Sequence, residues 1–240
     1  MNATELYRSG RLTEAIQALG ADLRRAPADV RSRTFLFELL CFAGEFERAQ
    51  KHLEIIAGGG TEAATGALIY HAALHAERTR QELFAKKEYP VRSGEKGEPA
   101  PARGTLNGEA FESIADADPR IGARLEVFAA GTVLWIPFEQ IAEVKIEAPR
   151  RLRDLLWAPA VVRPGPRFTE RELGEVLTPA LAPLSWKHPD EAVRLGRSTV
   201  WEEADGELVP YGQKMLLVDG EEFPYLEVRQ ITIETGGPAS

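Results

Sequence analysis

The chain has 240 residues, 44% hydrophobic and 28% charged, with a formal net charge of -8. That composition supports a packed core. The acidic balance argues against binding along a nucleic-acid backbone or an anionic membrane surface, since both call for clustered basic residues. The N-terminus lacks the basic and apolar regions of a secretory leader, and no apolar run approaches the ~20 residues of a membrane span. The expected location is therefore the cytoplasm, without membrane insertion. The single cysteine, Cys41, lies in the apolar run 35–43 and reads as a small buried hydrophobe.

Helical periodicity fills the first half. Residues 10–19 align with 44–53 at an offset of 34, the period of a tetratricopeptide repeat. Leu12/Phe46, Ala15/Ala49 and Leu19/Leu53 recur at spacings of three and four, which puts them on one helix face. Gly10 and Gly44 allow a close turn between helices. The pattern predicts helices over 2–9, 12–25, 29–42 and 46–57, with Pro27 breaking the chain between units. A fifth helix is predicted over 61–87, its apolar face including Leu68, Ile69, Ala72, Leu83 and Phe84. The glycines at 58–60 form a turn and not a phosphate loop, because no Gly-Lys-Ser/Thr follows. Two units fall short of the ~3 that bury a continuous core, so the second half is expected to cap the array.

Residues 88–107 are rich in Pro, Gly and charge and read as a linker. From Leu125 the period becomes two. Strands are predicted over 125–128, 132–136 and 143–147, with Ala129-Ala130-Gly131 as a hairpin turn. A short helix over 150–157 follows, then strands over 198–203, 214–218 and 225–234, a turn at Asp219-Gly220 and a frayed tail over 236–240. The expected class is α+β: tetratricopeptide-like helices over 1–87, a linker over 88–107, and a small, mostly antiparallel β domain over 108–240.

Few residues suggest chemistry. His71 and His75 are four apart and share a helix face, a metal-binding geometry, but the zinc-protease pattern requires Glu where Ala72 stands. Asp116 and Asp118 could act as a paired acid and base; the same spacing also makes a turn in which Asp side chains bond nearby backbone. No Gly-x-Ser-x-Gly elbow and no dinucleotide-binding glycine pattern occurs, so no cofactor, metal or catalytic set is expected. Four tryptophans lie in the second half. Trp135, in an alternating strand, reads as core, and Trp186, beside Ser185 and Lys187, is the candidate exposed anchor.

Several blocks, in order, resemble the ImpE/TagJ family. They are Gly108 and Phe111 followed by Asp116-Ala117-Asp118-Pro119-Arg120-Ile121-Gly122; Leu125-Glu126 through Trp135-Ile136-Pro137-Phe138; Leu152-Arg153-Asp154-Leu155-Leu156-Trp157-Ala158-Pro159-Ala160; Leu195-Gly196-Arg197 through Trp201; and Leu226-Glu227-Val228-Arg229. The chain departs from the family pattern at Pro183-Leu184-Ser185-Trp186 and at Pro210-Tyr211-Gly212-Gln213-Lys214. The resemblance implies a non-enzymatic accessory protein of type VI secretion. Its expected partners are the small sheath subunit and the AAA+ ATPase that recycles contracted sheath. It also implies structural roles for Trp135, Pro137, Trp157 and Trp201. Arg153 and Asp154, successive on a helix, diverge by ~100°, so each is expected to bond backbone or the C-terminal half. The partner groove is expected on the inner helix faces, at Arg33, Phe37 and Tyr70, with a basic helix drawn to the acidic surface. Two other readings stand beside this one: a general peptide-binding scaffold outside secretion, and a hydrolase using Asp116 and Asp118.

Overall fold

The computed structural model describes residues 1–90, 99–166, 168 and 173–234. Five helices come first: α1 (Ala3–Arg8), α2 (Leu12–Arg25), α3 (Val30–Phe42), α4 (Phe46–Ala57) and α5 (Thr61–Lys86). The starts of α1 and α3 are chemically marked. The Asn2 side chain accepts from the Glu5 N–H at 2.9 Å while the Glu5 carboxylate accepts from the Asn2 N–H at 2.9 Å, a reciprocal box that satisfies two orphan donors. Asp29 caps α3 by accepting from the Arg31 and Ser32 N–H groups. The repeat positions Leu12, Ala15, Leu19, Ala49 and Leu53 are all buried. Successive helices pack on one another, and α3, in the middle, is buried from Leu36 to Phe42.

Helix α5 departs from the expected face. Leu68 and Ile69 are 69% and 58% exposed, whereas Ala67, Leu74, Glu77, Gln81 and Phe84 are buried. That stripe keeps the 3.6-residue period, but polar side chains occupy much of it.

The second half holds thirteen strands among the described residues: β1 (Gly104–Leu106), β2 (Glu109–Phe111), β3 (Ile114–Asp116), β4 (Arg124–Ala129), β5 (Thr132–Pro137), β6 (Ile141–Ile146), β7 (Trp157–Pro164), β8 (Gly174–Pro179), β9 (Thr199–Ala204), β10 (Glu207–Gly212), β11 (Met215–Val218), β12 (Glu221–Pro224) and β13 (Gln230–Ile233). Eight of them form one sheet in the order β2-β1-β13-β6-β7-β8-β4-β5; β12-β11-β3 and β10-β9 form two smaller ones. Every pairing between these strands is antiparallel. The class is α+β, as expected. Gly104–Leu106 of the expected linker belongs to the main sheet, so the linker is shorter at that end; its residues 91–98, like the tail 236–240, lie outside the described residues. The short helix expected over 150–157 is a 3-10 turn at Leu152–Leu155, and the last predicted strand divides into a 3-10 turn at Tyr225–Glu227 and β13.

Two-residue hairpins join several strands. Asn107-Gly108, Ala130-Gly131, Asp205-Gly206 and Asp219-Gly220 all have positive φ at both positions, the geometry that matches the right-handed strand twist. The two faces of β4 and β5 belong to different cores. Phe128, Val133 and Trp135 join the helices in one apolar cluster. Leu125, Val127 and Ile136 belong to a second cluster with Tyr225, Val228 and Leu216. The helical array thus lies against one face of the sheet, and α5 makes the contact with β5.

Candidate functional site

The polar stripe of α5 meets the sheet in a buried chain of charges. Glu77, Arg80, Gln81 and Phe84 recur at spacings of three and four, so they share one side of the helix. Arg80, 1% exposed, donates from Nε to Glu126 Oε2 at 2.9 Å, from Nη1 to Glu77 Oε1 at 3.2 Å and from Nη2 to the Leu181 carbonyl at 3.0 Å. Glu126 accepts from Trp135 Nε1 at 3.0 Å and from Lys214 Nζ at 2.9 Å. Lys214 also lies 2.8 Å from Asp116. Glu77 accepts from Trp157 Nε1 at 2.9 Å. The charges therefore alternate in space as Glu77, Arg80, Glu126, Lys214, Asp116. Burying each alone would be prohibitive, and every one has an opposite partner.

Electrostatics follow this order. Burial would raise the Glu126 carboxyl, but Arg80 and Lys214 outweigh it and hold the group down to about 2. Asp116 has one cation and a second carboxylate nearby; burial dominates and pushes it up to about 6, against the pull of Lys214. Burial would lower Arg80 and Lys214, and the flanking carboxylates raise both above their ordinary values.

Asp116 and Asp118 are thus neither open nor poised. They are 4% and 1% exposed. Asp116 Oδ1 accepts from the Asp118 N–H at 2.9 Å, and Asp118 receives the Arg120 guanidinium from Nε at 2.7 Å and Nη2 at 2.6 Å. This is the turn-forming alternative, tightened by a bidentate pair. The Arg120 guanidinium in turn sits 4.9 Å from the Phe84 ring centroid, so the turn is pinned to α5. A substrate would have to displace buried ion pairs to reach either carboxylate. His71 is half-buried and His75 exposed, and no group of three His, Cys, Asp or Glu among the described residues could hold a metal ion.

The four expected partner contacts do not converge. Phe37 is 1% exposed in the helical core, whereas Phe35 of the same helix lines an open groove. Arg33 is half-buried; its Nη1 lies 3.3 Å from His52 Nδ1, and its Nη2 donates to the Pro27 carbonyl. Tyr70 lies beneath the Arg153 guanidinium at 4.2 Å, and Arg153 approaches Glu38 at 3.9 Å. Arg153 therefore engages the helical half, whereas Asp154 bonds backbone, accepting from the Arg150 and Arg151 N–H groups. Trp186 is half-buried: its Nε1 donates to Gln81 at 3.1 Å, and it meets Phe46 edge to face at 6.4 Å. It serves the junction between halves.

An open groove of about 970 Å³ lies elsewhere, between α1 and α3 on one side and residues 149–155 on the other. Its floor includes Tyr7 and Phe35, packed edge to face at 5.7 Å, with Leu152 and Leu155 opposite. Sequence reasoning passed over this surface because its two walls are more than a hundred residues apart.

Comparison with known proteins agrees with this architecture. The model of the family described as ImpE protein matches residues 108–232. A Pseudomonas aeruginosa PAO1 protein named type VI secretion system accessory component TagJ is 32% identical over 264 residues, covering 98% of this chain and 92% of that protein. The X-ray structure of a Vibrio parahaemolyticus protein superposes with a TM-score of 0.81 at 21% identity, covering 96% of this chain and 97% of that one; the likeness is one of fold. With the family blocks lying on β2 through β13 and the full-length relative spanning both halves, the chain belongs to the ImpE family.

Proposed function

We propose that the protein is a non-enzymatic adaptor of a type VI secretion system, working in the cytoplasm. Its partners in this reading are the small sheath subunit and the AAA+ ATPase that recycles contracted sheath. The observation that carries the reading is the 32% identity to an accessory component across 98% of the chain. The geometry supports it: stacked helices on a sheet leave an open groove, while the paired carboxylates that could have served catalysis are locked in buried ion pairs. Among the described residues no helix is long and apolar enough to cross a membrane, which suits a protein that meets its partners in solution.

Affinity capture of the tagged full chain from cells assembling the secretion machine tests this reading. Co-purification of the sheath subunit or the ATPase, identified by mass spectrometry, is the expected result. Recovery of neither, with the machine assembled, overturns it.

A further inference from the structure

The open groove carries a charge opposite to that of the whole molecule. The chain is net -8, yet the groove walls present four exposed arginines, Arg8, Arg31, Arg150 and Arg151, against one carboxylate, Glu38. Arg8 lies on α1 and Arg31 on α3, while Arg150 and Arg151 precede the 3-10 turn of the C-terminal half, so both walls contribute. Arg150 reaches Glu147 at 3.8 Å, but both side chains are well exposed and such a pair holds little charge in place. Glu38 is 8% exposed, and burial pushes its carboxyl up to about 7 against the pull of Arg153, so the one negative group is partly neutral at neutral pH. Between the arginines lies the apolar floor of Tyr7, Phe35, Leu152 and Leu155.

We propose that this groove takes an acidic amphipathic segment of a partner protein, its apolar residues on the aromatic and leucine floor and its carboxylates on the four arginines. Guanidinium groups pair with carboxylates through two parallel N–H donors, and complementary charge selects the partner and speeds its arrival. The sequence-based expectation of a basic ligand followed the net charge; the local charge of the groove reverses it. The proposal goes beyond the adaptor reading, because it fixes the chemistry of the ligand whichever protein carries it.

The probe is a fluorescein-labelled helical peptide of about 14 residues, four turns long, with Leu along one stripe and Glu on both flanks. A second peptide carries Lys in place of every Glu. Fluorescence anisotropy with the full chain should give saturable binding of the Glu peptide only, weakening as salt rises. Arg31→Glu with Arg151→Glu should weaken it about tenfold or more and admit the Lys peptide. Both positions are exposed, so the fold should persist. Arg24→Glu with Arg25→Glu, on the exposed end of α2, changes net charge equally and should leave binding unaltered. Equal binding of both peptides, binding of neither, an unaffected groove variant or an equal loss in the Arg24→Glu, Arg25→Glu control would each overturn the proposal. So would self-association of the chain that the groove variant abolishes, because the groove would then belong to a second copy. Failure to capture sheath or ATPase from cells leaves these outcomes untouched.

Discussion

At the scale of single residues, the informative groups are polar side chains standing where the periodicity calls for apolar ones. Glu38 sits in the buried part of α3, facing Arg153, Asp154 and Arg151. Its carboxyl titrates near 7 in the fold because burial disfavours the charged form. The folded state therefore holds this proton more tightly than the unfolded chain, whose value is near 4.5. Stability from this group is gained as pH falls through about 7 and is complete below the unfolded value. Gln resembles the protonated form at every pH. Glu38→Gln should accordingly raise stability at pH 8 by on the order of 2 kcal/mol and leave it unchanged near pH 4. Urea denaturation at the two pH values checks this, and a gain of equal size at both would refute the assigned titration. Glu126 runs the other way. Its folded value near 2 means that the stability it contributes is present above about 4.5 and is lost as pH falls toward 2.

At the scale of elements, what was legible in the sequence was local. The 34-residue offset and the spacing of small and apolar positions place α1 to α5 within a residue or two, because helix formation and capping depend on near neighbours. Strands were harder. β1 and β2 are joined by Asn107-Gly108, and β9 and β10 by Asp205-Gly206, both strong hairpin dipeptides. The first was masked by the Pro- and Gly-rich stretch before it. β7 was missed for a different reason: Pro159 lies inside it, between β6 and β8, and proline normally argues against a central strand. Gly10 and Gly44 show what repeat alignment leaves out. Both have positive φ, at +82° and +71°, but a Cβ on Gly10 would meet only Arg197 at 3.6 Å, whereas one on Gly44 would come within 2.3 Å of the Trp186 ring. Gly44→Ala should therefore cost more than Gly10→Ala, by about 1–3 kcal/mol, through overpacking added to the shared backbone strain. Trp186 should also change its near-ultraviolet dichroism in the first variant alone. Equal losses would mean that Trp186 adapts freely.

At the scale of the whole molecule, the two halves are joined by charge as well as by apolar packing. No local pattern announces this junction: Arg80 and Glu126 are 46 residues apart, and Glu126 and Lys214 are 88 apart. The available signal was a mismatch, since Glu126 alternates onto the same side of β4 as Phe128, toward the helices. Apolar burial alone would let the helical array slide on the sheet. Arg80 fixes its position, because its guanidinium must satisfy Glu77 on its own helix, Glu126 on β4 and the Leu181 carbonyl together. Removing it takes away the cation that pairs with Glu77 and leaves Glu126 and Asp116 sharing the ammonium of Lys214 in a buried site. Arg80→Met, which keeps the apolar bulk, should destabilise the protein by about 3–5 kcal/mol, because a buried pair broken on one side strands its partner. The loss should also uncouple the halves. All four tryptophans lie in the second half, and Trp135, Trp157 and Trp186 meet side chains of α5, so their fluorescence follows the sheet and its junction with the helices, while far-ultraviolet dichroism is dominated by the helices. In the native protein the two signals should change together on urea unfolding, as a cooperative unit requires. In Arg80→Met the two transitions should separate, because α5 retains Glu77 without its guanidinium partner and the sheet retains Glu126 and Asp116 on one ammonium. Coincident transitions at an unchanged midpoint would show that apolar packing alone joins the halves, and that the charge chain is only accommodated by it.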